Sequence, residues 1–170
     1  MIEAQVIPTP AGALSLLARG EVVVAAGFTA DPTELFARLS PAVRAGGLAP
    51  SGDLGPVAHA VRDYLGGDLA ALDAVPVERQ GSPTRQRLHA ALRDVPAGTT
   101  VTYAELAERA GLSRGSARVA ASACSQNLIV PFVPCHRVLP ASGGAGGYYY
   151  GTPVKEWLLA HEARVTSPTA

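Results

Sequence analysis

Cysteine is scarce in this chain: there are two, Cys124 and Cys135, among 170 residues. Neither belongs to a close C-x-x-C pair, which argues against a structural zinc site, and a reducing compartment disfavours a disulfide between them. Long apolar runs are missing too, and no stretch approaches the roughly 20 apolar residues of a membrane-spanning helix. The opening Met1-Ile2-Glu3-Ala4 has neither the basic segment nor the apolar core of a secretion signal. These absences lead to the expectation of a soluble, cytoplasmic protein that meets no membrane. Glycine (18) and proline (14) are frequent but below the level that signals disorder, and a hydrophobic content of 48% is ample for a core.

Net charge is zero, but its distribution is uneven. Residues 1–78 hold four arginines against nine acids, and residues 79–137 hold eight arginines against Asp94, Glu105 and Glu108. A basic middle suits an anionic partner, nucleic acid first among them, or the two regions neutralise each other across a domain interface. Arg85, Arg87, Arg93 and Arg114 are candidate phosphate contacts or solvated surface charges.

The first third reads as an antiparallel meander. Ala4–Thr9, Ala13–Arg19 and Val22–Thr29 are apolar or alternating, with turns at Pro10-Ala11-Gly12 and Gly20-Glu21. Asp31-Pro32-Thr33-Glu34 has the cap, first-turn proline and acidic third residue of a helix start. A Gly/Pro-rich loop follows at 46–56, then a helical stretch over 57–65 and a short candidate strand at 75–78. Composition and charge both change at Gln80-Gly81-Ser82-Pro83, which places the domain boundary there: 1–80 and 81–170. The second part is mostly helical, with starts at Ser82-Pro83, Thr102-Tyr103-Ala104-Glu105, Ser113 and Thr152-Pro153. The two middle helices, joined at Gly111, form a helix-turn-helix.

The second of those helices is unusual. Its residues from Arg114 to Ala123 are almost all small, whereas a major-groove reader carries long polar side chains. It either packs inside the protein or approaches DNA without reading sequence, with Arg118 projecting as a wedge into the base stack.

Pro134-Cys135-His136-Arg137-Val138 concentrates the chemistry. A thiol is nucleophilic as the thiolate, which cationic neighbours favour. In an extended chain Cys135 and His136 point to opposite sides, so their cooperation requires a bend near Pro134. Cys124 reads as a packing residue, Trp157 as core, and His59, His89 and His161 as surface or internally satisfied histidines.

With the glycine-rich run 142–147 and Lys155-Glu156-Trp157-Leu158-Leu159-Ala160-His161-Glu162, these segments resemble the O6-alkylguanine-DNA alkyltransferases. The likeness is strong from Gly81 to Glu162 and only topological over 1–80. It implies an α+β chain: a small antiparallel-sheet, ribonuclease-H-like N-terminal domain, then a mainly helical, winged-helix-like domain with the helix-turn-helix. It also implies an irreversible, single-turnover transfer of an alkyl group, methyl above all, from guanine O6 to Cys135. The protein would be a monomer acting on double-stranded DNA containing O6-alkylguanine, with no cofactor and no metal. By the same resemblance His136 takes the thiol proton through a water and Glu162 orients His136. Asn127 joins the helix-turn-helix to the site loop, and Tyr103 donates to the departing base. Arg118 fills the space of the flipped nucleotide, with Ser116, Ala117 and Ala120 beside it on DNA. The carbonyls of Cys135 and Val138 read the exocyclic amine, the amide of Tyr149 meets O6, and Tyr148, Tyr149 and Tyr150 line the base pocket. Arg137 ties the two domains.

The chain also departs from that pattern. Thr84-Arg85 and Leu88-His89 stand where the family has aromatics, Val119-Ala120-Ala121 replaces Ala-Val-Gly, and Leu128 replaces a proline. Tyr149 and Tyr150 replace small residues in the binding loop. Two added rings leave a second function open, an alkylation-damage binder with weak or no transfer. A Cys–His hydrolase is a third reading, against which the helix-turn-helix and Arg118 count.

Overall fold

The computed structural model describes residues 1–167; the last three residues of the expected 81–170 domain lie outside them. The chain divides into two compact units, one of residues 1–78 with 128–132, the other of residues 79–127 and from 133 onward.

In the first unit, strands β1 (Ile2–Ile7), β2 (Leu14–Arg19) and β3 (Val22–Gly27) form the expected antiparallel meander. The sheet is nevertheless mixed. A short strand β4 (Leu48–Pro50), inside the stretch read as loop, pairs in parallel with β1 through Ile2↔Leu48 and Ala4↔Pro50, giving the order β3-β2-β1-β4. Three residues are too few for a period to be visible, and their pairing is with a distant segment. The alternation of β1 puts Ile2 and Ala4 inside and Glu3 outside. These residues, with Leu17, Val24, Ala25, Leu35 and Leu39, make the core of this unit. Helix α1 (Pro32–Arg38) starts as anticipated, with Asp31 Oδ1 accepting from the Thr33 amide at 3.0 Å. Helices α2 (Pro41–Arg44) and α3 (Pro56–Leu65) follow. The expected strand at 75–78 is reduced to one parallel bridge, Val23↔Val77. Residues 128–132 return to this unit: the Ala26 amide donates to Leu128 O and the Val130 amide to Ala26 O.

The second unit begins with α4 (Pro83–Arg93), whose Ser82 hydroxyl accepts from the Arg85 amide and whose Leu88, Ala91 and Leu92 are buried. Strand β5 (Val101–Thr102) leads into α5 (Tyr103–Arg109), with Thr102 capping the Glu105 amide as the capping box predicts. Gly111 turns the chain at φ +80, a conformation costly for a residue with a Cβ. Ser113 does not cap the next helix as expected. Its hydroxyl meets that of Ser116 at 3.2 Å, one 3-10 turn (Arg114–Ser116) intervenes, and α6 is Ala117–Ser125. Strand β6 (Val138–Leu139) pairs in parallel with β5, and α7 (Thr152–Thr166) closes the unit. None of the described helices is long and apolar enough to cross a membrane.

Candidate active site

The bend that a Cys–His pair requires is present. Cys135–Arg137 is one 3-10 turn, with the Cys135 amide donating to Val133 O at 2.9 Å and the Arg137 amide to Pro134 O at 3.0 Å. Pro134, at ψ 64, is where the extended path breaks. The turn buries all three side chains: Cys135 is 6% exposed, His136 0% and Arg137 3%.

Helix α7 supplies what the turn lacks. Glu162, four residues and about one helical turn beyond the buried Leu158, is itself buried, with Oε1 2.7 Å from His136 Nε2. Arg137 grips the same carboxylate through Nε on Oε2 at 3.0 Å and Nη2 on Oε1 at 2.9 Å, and its Nη1 donates to Val95 O at 2.7 Å. These bonds of the guanidinium fall within the second unit, on Glu162 and on Val95 just after α4, where the resemblance had it tying two domains. Burial works against an ionised Glu162, but His136 and Arg137 outweigh it and hold the carboxyl well below its usual range. Burial pushes the His136 imidazole down, aided by Arg137 and Lys155 and opposed by Glu162. A neutral His136 must therefore donate Nε2–H to the carboxylate, a tautomer assigned from this network. Its Nδ1, buried and without a protein hydrogen-bond partner, then carries the lone pair.

Around the sulfur, burial pushes the Cys135 thiol up. The Asn127 amide, the Lys155 ammonium and the Tyr148 hydroxyl push back toward the thiolate. Asn127 Nδ2 also donates to Val133 O at 2.8 Å, which fixes the residue after α6 against the loop carrying Cys135. Tyr103, the first residue of α5, has its phenol pushed up by burial and by the nearby Cys124 and Cys135 thiols. Cys124 is partly buried beside them, its thiol pushed far up by burial and Cys135.

Lys155 escaped the sequence reading. It is the chain's single lysine, and it is 1% exposed, with Nζ donating to Val138 O at 2.8 Å. A lysine on a helix is ordinarily solvated. The available signal was its spacing from Glu162: seven residues, two helical turns, put both on one face of α7.

The small-residue helix divides into two faces. Arg118 is exposed and rims a hollow of about 310 Å³ beside Thr84, Arg85 and Leu88. Ser116 and Ala117 are half-buried. Ala120 is fully buried with Ala123 on the inner face, so the expected placement of Ala120 against DNA is corrected; Val119, 46% exposed, lies on the outer side. The arginines read as phosphate candidates are engaged within the protein. Arg87 holds Ala110 O at the end of α5, Arg114 pairs with Glu108 at 3.0 Å, and Arg85 bonds Gln126. His89 is buried and its Nε2 donates to Ala123 O, while His161 stacks on Trp157 at 4.8 Å.

Residues 83–164 match the family described as the 6-O-methylguanine DNA methyltransferase, DNA binding domain. A methylated-DNA–protein-cysteine methyltransferase of Mycolicibacterium paratuberculosis is 34% identical over 167 residues, covering 96% of this chain and 94% of that protein. The chain belongs to the methylated-DNA–protein-cysteine methyltransferase family. A Shigella flexneri member is 38% identical over 108 residues; the match spans 63% of its length, less than two thirds, and 64% of this chain. Among solved members, an O6-methylguanine methyltransferase of Mycobacterium tuberculosis superposes with a TM-score of 0.79 at 28% identity, covering 100% of this chain and 97% of that one. A structure of the mycobacterial protein in complex with DNA matches at 0.78, again with 28% identity, over 96% and 94% of the two chains.

Proposed function

We propose that this protein repairs DNA by moving an alkyl group, methyl above all, from guanine O6 in duplex DNA to Cys135, once per molecule. The observation that carries this reading is the buried relay in which Glu162, anchored by Arg137, holds His136 through Nε2 at 2.7 Å. That arrangement leaves Nδ1 to accept the thiol proton through a water. The thiolate attacks the sp3 carbon in line. The S–C bond forms, the C–O6 bond breaks, and the electron pair leaves on guanine, which takes a proton, the donor role assigned to Tyr103. The thioether formed has no route to hydrolysis, so turnover ends there.

O6 is buried in a duplex, so the nucleotide must first be flipped out. Arg118, exposed near the start of α6, is assigned to the vacated space, with Ser116 and Ala117 beside it on the backbone. Asn127 positions the site loop against α6, the carbonyls of Cys135 and Val138 face the base, the Tyr149 amide meets O6, and Tyr148 stands at the sulfur. Residues 81–170 are assigned to this alkyltransferase domain and residues 1–80 to a ribonuclease-H-like domain. The acting species is a cytoplasmic monomer, since a reactive thiol needs reducing surroundings.

The test is incubation with a duplex containing O6-methylguanine, followed by tryptic mass mapping. Cleavage after Arg118 and Arg137 yields one peptide holding both Cys124 and Cys135, so fragment ions must place the adduct. A methyl on Cys135, lost in Cys135→Ala, supports transfer. Tight binding of the lesion without an adduct supports the damage-binding alternative, which the crowding of Tyr148, Tyr149 and Tyr150 rings favours.

A further inference from the structure

The turn between α5 and α6 is held by two different helices. From α5 itself, the Gly111 amide donates to Glu108 O at 2.9 Å and the Leu112 amide to Ala107 O at 2.9 Å. From α4, Arg87 Nη2 donates to Ala110 O at 2.7 Å. The Ala110 carbonyl and the Gly111 amide belong to one planar peptide unit. That unit is therefore bonded at both edges, to its own helix through N–H and to α4 through C=O.

The second bond matters because of Gly111. Glycine adopts positive and negative φ with similar ease, so its φ of +80 is not self-enforcing. A rotation that turned the Ala110 oxygen away would redirect the chain just beyond it, and Arg87 opposes that rotation. Space tells the same story: a Cβ on Gly111 would stand 2.7 Å from Arg87 Nη2, so the guanidinium sits where a side chain would be. Beyond Gly111 the path to α6 is short and tied, with Arg114 paired to Glu108 at 3.0 Å and the Ser116 amide on Ser113 O at 3.0 Å. Arg118 follows as the second residue of α6. The support on the other side is firm as well, since α4 buries Leu88, Ala91 and Leu92 and its His89 Nε2 donates to Ala123 O on α6 at 2.9 Å.

We propose that Arg87 is a positioning residue for the DNA step: it fixes the peptide at the turn and so the direction in which α6 presents Arg118 to the duplex. This rests on the transfer reading above and on the place given there to Arg118. A charged donor suits the task, because its bond to a carbonyl is stronger than that of a neutral one. The competing role for an exposed arginine is direct contact with a phosphate, which would act independently of Arg118.

The experiment measures single-turnover methyl transfer from an O6-methylguanine duplex and from the free O6-methylguanine base, for wild type, Arg87→Met, Arg118→Ala and the double variant. The quantity read is the ratio of the duplex rate to the free-base rate, which cancels any loss of active protein. Arg87→Met is expected to lower the ratio about fivefold or more in the otherwise wild-type protein and by less than about twofold in Arg118→Ala, the non-additivity of residues that act as a unit. A ratio unmoved by Arg87→Met would mean that the bond to Ala110 O serves stability alone, and it overturns the proposal. Equal fold-losses in the two backgrounds overturn it in favour of a phosphate contact. Both results leave methyl transfer intact. A wild type that takes methyl from neither substrate overturns the transfer reading, and the role of Arg87 with it.

Discussion

Glu162 Oε1 stands 2.7 Å from His136 Nε2 while Arg137 holds both oxygens of the same carboxylate, so one buried anion orients an imidazole and neutralises a guanidinium. Glu162→Gln keeps the volume and removes the charge. Arg137 is then buried without its counter-ion, a loss on the order of 3–5 kcal/mol of stability. The Gln amide can also offer His136 a donor, which favours the tautomer with hydrogen on Nδ1, the wrong nitrogen for accepting a thiol proton. Denaturant titration should report the stability loss. Single-turnover transfer, measured where the variant remains folded, should fall by at least about a hundredfold, within the range that acid–base groups contribute. Near-wild-type transfer in the folded variant would remove Glu162 from the relay.

The two partners titrate with the same sign. Burial depresses His136 below its ordinary 6.5, so as pH falls below that value the unfolded chain binds a proton that the folded protein refuses, and stability declines. Glu162, held below its ordinary 4.5, contributes stability that is complete above that value and is lost as pH falls toward its folded value. Thermal melts across the acid range should show a decline starting near 6.5 and steepening below 4.5. Alkyl transfer, which needs neutral His136, should persist below pH 6.5, where a free imidazole would be more than half protonated. A transfer rate halved at 6.5 would mean that burial does not control this histidine.

Caps were legible in the sequence because they are local. Asp31, Ser82 and Thr102 each accept from an amide two or three residues on, and no distant segment has to be known. The Cys–His–Glu set was legible through its resemblance to a family, and the bend at Pro134 through simple geometry. Three things were not. Strand β4 depends on pairing between Leu48 and Ile2, which no local pattern encodes. The inward face of α6 was hidden because its small residues lack contrast: Ala117 is half-buried and Ala120 and Ala123 are buried, yet all three are alike in type. Lys155 was hidden because charge on a helix ordinarily signals solvent, and only the packed structure reveals that it points at Val138 O.

That lysine has a measurable consequence. Burial pushes the Lys155 ammonium down and the Cys135 thiol up, and each charge offsets part of that for the other: Lys155 favours the thiolate, and the thiolate favours the ammonium. Lys155→Met keeps a linear side chain and removes the charge. The pH at which Cys135 becomes reactive toward a small thiolate-specific reagent such as iodoacetamide should move upward in the variant. A purely structural role, through the bond to Val138 O, would lower stability without moving that pH profile. Cys124→Ala should be introduced into both proteins so that one thiol is read.

Arg118 separates the DNA step from the chemical step. It is exposed on α6, while the relay is buried under the 3-10 turn and α7, so its removal should leave the nucleophile untouched. Unstacking a base costs a few kcal/mol, and a side chain that fills the gap offsets part of that cost. Losing about 1.4 kcal/mol or more of that contribution corresponds to tenfold or more in rate on duplex DNA. Arg118→Ala should therefore slow transfer from a lesion in duplex by at least about tenfold, while transfer from the free O6-methylguanine base, which has no stack to leave, stays close to wild type. Equal losses on the two substrates would place Arg118 in the site itself rather than in the space left by the flipped nucleotide.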